Sequence, residues 1–562
     1  MIRDEVVQWI AAGLAHARSA GVLPELDAAI TVERPRQTGH GDYASNLALQ
    51  AARSVGLSPR QIADALVRYL PQEEFAGRAE VAGPGFINVR LDASRLYQEV
   101  GNILASPSDW VRLDLGAGQS FLLEFVSANP TGPLHVGRTW GAVLGDTLAR
   151  LFEAVGYKVT REYYFNNAGR QMRLLGQSTQ ARYLTLLGRP QGLPDDGYQG
   201  EYVREIAQTL VAEAGAAYAA QDWPFFAARA EAWLVNDIQA TLQRLGVRFD
   251  QWFNEQELIA SGQLDEVLTG LSERGLIYEN EGATWLRATA LGGEKDRVLV
   301  RATGEPTYRL PDIAYHLSKL RRGFDHSLTV LGVDHQHEFP DVSRAVTALG
   351  YDASRLEVLI HQFVSLVRDG QPVRMSTRHA DYITLDELLD LVTTTHPETG
   401  VTLPGRDPVR FLLLMRAPSS PMAFDIEQAV RQNSDNPVYY VQYAHARLAS
   451  LRQKAEAEGW TGWRSADLAL LVQSVELDLV RTMAELPEVI EQAVHERAPH
   501  HLVTYASSLA SAVHTFYRDS RVLSPVPAER QLSLARLKLV VAAQIVLTQT
   551  LSLLGVSAPE RM

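Results

Sequence analysis

Apolar and polar positions follow three successive patterns along this chain. From residue 1 to about 110, stretches such as MIRDEVVQWIAAGLAHAR carry apolar residues every three or four positions, and short runs such as FINVRL resemble strands. The first period buries one stripe of a helix and the second pattern suits a sheet, so this part predicts an α+β domain. Gly83-Pro84-Gly85 marks a turn just before FINVRL.

From 111 to 430, the apolar runs FLLEFVS, KVTREYYF, SLTVLGV and RLEVLIHQFVSLV alternate with helical stretches. Strands alternating with helices predict an α/β domain with a doubly wound, parallel, Rossmann-like sheet. Between about 170 and 300 the pattern turns mostly helical, then hairpin-like around LIYENEGATWLRA, and predicts an insertion into the sheet domain. From 431 to 562, Gly and Pro thin out and apolar residues recur at helical spacing, as in VYYVQYAHARLASLRQ and LARLKLVVAAQIVLTQTLSLL. That predicts a C-terminal α-helical bundle.

The length of 562 residues agrees with several domains, being too great for one core. The absence of cysteine excludes disulfides, thiol catalysis and thiolate zinc sites, and fits a cytoplasmic protein. No membrane segment is expected, and the amphipathic start, with acidic residues among its first five, does not read as a secretory leader. A net charge of −13 weakens a nucleic-acid partner only modestly, because binding needs a locally basic face. From Asn436 onward, 12 Lys and Arg balance 12 Asp and Glu, so the acidity lies upstream of the bundle.

The chemistry concentrates in FLLEFVSANPTGPLHVGRTWGAVLGDTLAR, from Phe121 to Arg150. A strand ending at Ser127, a turn through Asn129-Pro130-Thr131-Gly132-Pro133 and a helix starting near His135 make a junction suited to phosphate, because free amides at a helix start favour negative charge. His135 and Arg138 then share one face of the first helical turn, and Gly137 leaves room for a base or ribose. Alone, HVGR is accounted for as simply by a corner whose His and Arg face solvent.

In its setting, SANPTGPLHVG resembles the nucleotide-binding signature of class I aminoacyl-tRNA synthetases, His-(Ile/Val)-Gly-His, and the arginyl-tRNA synthetase version in particular. The resemblance implies ATP binding by His135, Gly137 and Arg138, with Arg138 standing where the family pattern has its second histidine. Arg374-Met375-Ser376-Thr377-Arg378 resembles the family's Lys-Met-Ser-Lys-Ser loop. It implies that Arg374, Ser376 and Arg378 act with His135 and Arg138 in catalysis, and that Met375 and Ser376 touch ATP. The arginine-pocket positions of the family fall on Glu124, Asn129, His135, Tyr308, Asp312 and Asp334. Each also has a plain structural account: Tyr308 as packing, Asp312 as a helix-start charge, Asp334 as a strand-end cap.

Asn436-Pro437-Val438-Tyr439-Tyr440-Val441-Gln442-Tyr443 resembles the opening of the family's anticodon-binding bundle, LLGVSAPERM its end, and QTGHGDYASNLALQAAR with VAGPGFINVRL its tRNA-contacting N-terminal domain. Tyr439, Tyr443 and Tyr517 are the candidates for stacking on unpaired bases, against the alternative that they belong to the core or its rim. The implied function is attachment of arginine to its tRNA through an arginyl-adenylate. ATP serves as substrate with Mg2+, no metal is bound by the protein, and the chain works as a monomer. Two alternatives stand beside it: a regulatory paralogue that binds arginine or tRNA without activation, and a class I enzyme for another amino acid. Asp334-His335-Gln336-His337-Glu338 could be read as metal ligands, but His335 and His337 alternate across a strand, with no third ligand in view.

Overall fold

The computed structural model describes residues 1–35, 38–72, 77–373 and 383–562. In the N-terminal part, the strands Val32–Glu33, Tyr43–Ser45, Phe86–Leu91 and Gly77–Ala82 lie in that order in an antiparallel sheet. The helices Ile2–Ser19, Leu47–Val55, Pro59–Tyr69 and Ala93–Ala105 accompany it. Ser58 starts the third of these, its hydroxyl accepting from the Gln61 amide, and proline at the first helical position loses no hydrogen bond.

The middle domain is built on five parallel strands in the order Leu356–His361, His326–Gly332, Ser120–Glu124, Lys158–Phe165 and Gln251–Asn254. Ser120–Glu124 lies at the centre with Phe121, Leu122, Leu123 and Glu124 all buried, as a parallel strand covered on both faces requires. The helix Thr139–Ala154 leads from the end of that strand and is buried over most of its length.

Two sequence expectations need correction here. The segment from about 170 to 300 is not one continuous insertion. Its helices Gly169–Leu186, Glu201–Ala214 and Trp223–Leu245 build a separate small core, but the chain then returns to the main sheet as Gln251–Asn254 before leaving again for the hairpin Ile277–Asn280 and Ala283–Leu286. A strand of four residues is too short to register as a period within a helical stretch. Likewise RLEVLIHQFVSLV is two strands. Leu356–His361 belongs to the main sheet, and Val364–Arg368 pairs with Met422–Asp425 in a second one.

The C-terminal bundle comprises Pro437–Ala457, Ser474–Met483, Leu486–His495, His500–Asp519 and Arg530–Leu554. Contrary to the expectation that no stretch would qualify, the last helix is by length and composition apolar enough to cross a membrane. With 56% of its most apolar stretch buried, it packs within the bundle.

The bundle is stitched to the sheet domain through Arg410, which is wholly buried. Arg410 donates to Asp146 Oδ2 at 2.6 Å and to the Leu554 carbonyl at 2.8 Å, and Arg150 also donates to Asp146 at 2.7 Å. Gly555, at φ 68°, leaves the space that the Arg410 guanidinium fills, since a Cβ there would stand 2.3 Å from it. Nearby, Asp407 accepts from the Ser557 amide at 3.1 Å and from the Gln442 amide group at 2.8 Å. At the other end, Arg34 and Tyr43 of the N-terminal domain grip Glu488 of the bundle, and Arg481 of the bundle donates to Asp42 at 2.7 Å. Burial works against the Asp146 carboxylate, but Arg410 and Arg150 hold its pKa below the usual range. Arg410→Met should therefore destabilise the full chain by up to about 3–5 kcal/mol, because the buried Asp146 keeps Arg150 but loses a charged donor, and the Leu554 carbonyl loses its donor as well. Adding Asp146→Leu should restore part of that loss. Urea unfolding measures both, and a cost for Arg410→Met below about 1 kcal/mol would mean that the pair behaves as a surface pair.

Candidate active site

Ser120–Glu124 stops three residues earlier than its apolar run suggests. The chain turns sharply at Val126 and Ser127, whose φ of 68° and 41° are costly for residues with side chains. Glu124 at the strand's end faces a cavity of about 350 Å³ at the C-terminal edge of the sheet, where doubly wound folds hold ligands. Asn129, Arg138, Tyr308 and Asp312 line the same cavity, together with Glu255, Glu338 and His361.

Glu124 is already engaged. It accepts from Lys319 Nζ at 2.6 Å, from the Thr329 hydroxyl at 3.1 Å and from the Ser127 hydroxyl at 2.9 Å. Lys319 is fully buried and also lies 4.3 Å from the centre of the Tyr315 ring. Tyr315 in turn donates to Glu162 at 2.6 Å, and Glu162 takes Arg322 as well. Glu255 accepts from the Tyr164 hydroxyl and from Asn166 at 2.7 Å. Asn129 accepts from the Asn166 amide at 3.0 Å, which ties the strand-end turn to this group.

Asp312 differs from these. Among the described residues its carboxylate receives no hydrogen bond, and it stands in the first turn of the helix Arg309–Arg321. Burial, then repulsion from Glu338, Glu124 and Glu255, push its pKa up to about 7, with Lys319 opposing. The cavity thus presents an under-compensated carboxylate in poorly hydrated surroundings, an arrangement that calls for a cation. Tyr308, the residue before the helix, is 71% exposed at the rim rather than packed in a core.

Other sequence candidates are distributed differently. His135 stands just before a short 3-10 turn, Val136–Arg138, with its Nδ1 accepting from the Gly137 amide at 3.1 Å. The space left by Gly137 is taken by the His135 ring itself. His135 is not among the residues lining the cavity, whereas Arg138 is. Asp334 is exposed and off the cavity wall; Glu338, one turn on, lines it instead and meets His335 at 3.0 Å. His335 and His337 lie in a turn after the strand His326–Gly332, so the expected alternation along a strand does not exist. Arg374, Met375, Ser376, Thr377 and Arg378 lie outside the described residues. The chain just beyond them is fixed against the His135 corner, since the Val136 amide donates to the Ile383 carbonyl at 3.3 Å and the Leu385 amide to that of Leu134 at 2.8 Å.

Sequence reasoning missed Glu255, Lys319 and His361, and singled out Glu338 only as a candidate metal ligand. Glu255 follows directly on the strand Gln251–Asn254, so recognising that strand would have exposed it. A lysine within a helix carries no local sign that it will be buried against a glutamate.

A second candidate surface lies on the bundle. Tyr439 and Tyr443 stack with ring centres 5.9 Å apart, and the Arg447 guanidinium lies 4.5 Å from the Tyr443 ring and 4.8 Å from that of Tyr517. Tyr517 is 40% exposed. Tyr443 and Tyr517 thus flank one arginine, with Tyr439 stacked on Tyr443, a combination of flat rings and positive charge.

Residues 99–395 match the family described as tRNA synthetases class I (R), catalytic domain. Residues 5–91 match the arginyl tRNA synthetase N terminal domain, and residues 441–562 the DALR anticodon binding domain. The chain is 44% identical to the arginine–tRNA ligase of Salinibacter ruber, covering 96% of this chain and 97% of that one. It is 43% identical to that of Desulfotalea psychrophila, with 95% and 94% covered. The fold is that of the Thermus thermophilus arginyl-tRNA synthetase structure, at a TM-score of 0.75 and 23% identity over 100% of both chains. With its three domains in family order around a carboxylate-lined cavity, the chain belongs to the arginyl-tRNA synthetases of class I.

Proposed function

We propose that the acidic side of the cavity receives the guanidinium of arginine and that the Arg138 corner receives ATP. The chain is an arginine–tRNA ligase, which attaches arginine to tRNA at the expense of ATP. The observation that carries the site reading is Asp312, which stands among Glu124, Glu255 and Glu338 and receives no hydrogen bond from the described residues. A planar cation with five N–H donors satisfies such a group, and Lys319 holds Glu124 in place without occupying Asp312.

In the reaction, an arginine carboxylate oxygen bonds to the α-phosphorus of ATP while the bond to the β-phosphate breaks, and pyrophosphate leaves with the electron pair. A ribose hydroxyl at the tRNA end then attacks the activated carbonyl, releasing AMP. Both steps need positioning and charge stabilisation rather than a protein nucleophile. Arg138 supplies a permanent positive charge at the cavity wall, and Mg2+ accompanies the ATP phosphates. By resemblance to the family's second signature, Arg374, Ser376 and Arg378 add charge and hydrogen-bond donors for the same phosphates, and the chain from Ile383 onward is hydrogen-bonded to the His135 corner. On the bundle, Tyr439, Tyr443 and Tyr517 around Arg447 stack unpaired tRNA bases.

Three measurements test this reading. Offered labelled amino acids singly with total tRNA, the protein should attach arginine and leave lysine and glutamine untouched; faster transfer of another amino acid would refute the pocket assignment. Because a guanidinium pairs with ionised Asp312, whose pKa lies at about 7, the KM for arginine should fall as pH rises from about 6 to 8. Asp312→Asn should raise that KM, by about 1.5–3 kcal/mol of lost charged hydrogen bonding, and flatten its pH dependence. An unchanged pH profile would show that Asp312 does not meet the substrate. Arg138→Ala should lower kcat by about tenfold or more, with Arg138→His recovering much of it. A wild type that scarcely activates arginine but is strongly rescued by histidine would favour the regulatory alternative.

A further inference from the structure

The strand Leu356–His361 ends at His361, which pairs in register with Gly332 at the end of the neighbouring strand. Both residues line the cavity, beside Arg138 and Gly141. The imidazole rests on the first turn of the helix Thr139–Ala154. Its Nε2 is 3.1 Å from where a Cβ on Gly141 would stand, and its ring centre is 5.6 Å from that of Trp140. Glycine at 141 therefore lets the ring lie directly on the helix that opens at the Arg138 corner.

The other ring nitrogen fixes the chemistry. His361 Nδ1 is 2.9 Å from the Gln362 carbonyl, which can only accept, so the proton resides on Nδ1 and Nε2 keeps its lone pair. Burial, and then the Arg138 charge, lower the pKa of His361 against the opposing Gln362 bond and Asp334 carboxylate, which favours the neutral ring. Nε2 has no hydrogen-bond partner among the described residues. His361 thus brings one unfilled acceptor to a cavity wall, next to a cation.

ATP phosphates carry no donor at neutral pH, and the donors of arginine belong with the carboxylates across the cavity. The ribose of ATP does carry donors, and only one oxygen and one methylene separate it from the α-phosphate. A group seated beside the phosphate-binding cation therefore meets the sugar before the adenine. We propose that His361 is a further ATP-contacting residue, its Nε2 accepting a hydrogen bond from a ribose hydroxyl while Arg138 takes the phosphates. The proposal rests on the reading of this cavity as the arginine and ATP site.

The test is a comparison of His361→Leu and His361→Gln with wild type in arginine-dependent ATP–pyrophosphate exchange, with tRNA present, using ATP, 2′-deoxy-ATP and 3′-deoxy-ATP. Loss of one neutral hydrogen bond should make His361→Leu raise the KM for ATP about threefold to tenfold, with the KM for arginine unchanged. With one of the two deoxy nucleotides that factor should vanish, because the hydroxyl is already missing. His361→Gln, which keeps an acceptor, should lie closer to wild type. An equal loss with all three nucleotides, or no loss with any, overturns the proposal, since a role confined to packing against Trp140 cannot distinguish them. The same comparison by equilibrium dialysis needs no turnover. If wild type binds ATP with the expected pattern but fails to exchange, the functional reading fails while the His361 contact stands.

Discussion

Glu124 and Asp312 stand under one sheet edge, where water screens poorly and two carboxylates repel strongly. The site depends on how that repulsion is handled. Lys319 neutralises Glu124 from beneath, Arg322 and Tyr315 secure Glu162 behind it, and Tyr164 and Asn166 occupy Glu255. Asp312 alone in this set is left without a donor among the described residues. On the proposed reading, a cationic substrate relieves this part of the electrostatic imbalance, which shows as a pKa raised to about 7. On that reading a guanidinium meets Glu124 and Glu255 already fixed by their own donors, with Asp312 left to pair with it.

How much of this was legible in sequence depends on how local each signal is. The bundle announced itself through helical periodicity, and the turn Gly83-Pro84-Gly85 through its residue types. The strands Ser120–Glu124, Lys158–Phe165 and His326–Gly332 were legible as apolar runs. Gln251–Asn254 was not, because four residues between helices carry no period, and Glu255 went unnoticed with it. Asp334 and Glu338 show the same limit at finer scale. Both lie in the same acidic and histidine-rich stretch, and only the turn after the strand decides which faces the cavity. Lys319 and His361 lay furthest from view, since each matters through a partner many positions away.

The domains are joined by charge as much as by apolar packing. Arg34 and Tyr43 meet Glu488, and Asp42 meets Arg481, so the N-terminal domain is held to the bundle rather than swinging from its linker. The two parts whose relatives are described by tRNA features therefore share a fixed geometry. The main-chain bonds from Val136 to Ile383 and from Leu385 to Leu134 have a comparable effect inside the catalytic domain. They tie the start of the helix Leu385–Leu391 to the His135 corner.

Arg410 also bears on the order in which the protein is completed. Its guanidinium needs the Leu554 carbonyl, 144 residues further along, and the glycine that follows it to make room. A ribosome adding roughly 5–20 residues per second takes about 7–30 s to cover that distance. During that interval the nascent sheet domain holds a cation whose final acceptor has not yet been synthesised. The finished catalytic core is in this sense closed by the bundle's last helix, and a chain arrested before Leu554 would leave quality-control proteases an incompletely satisfied interior to find.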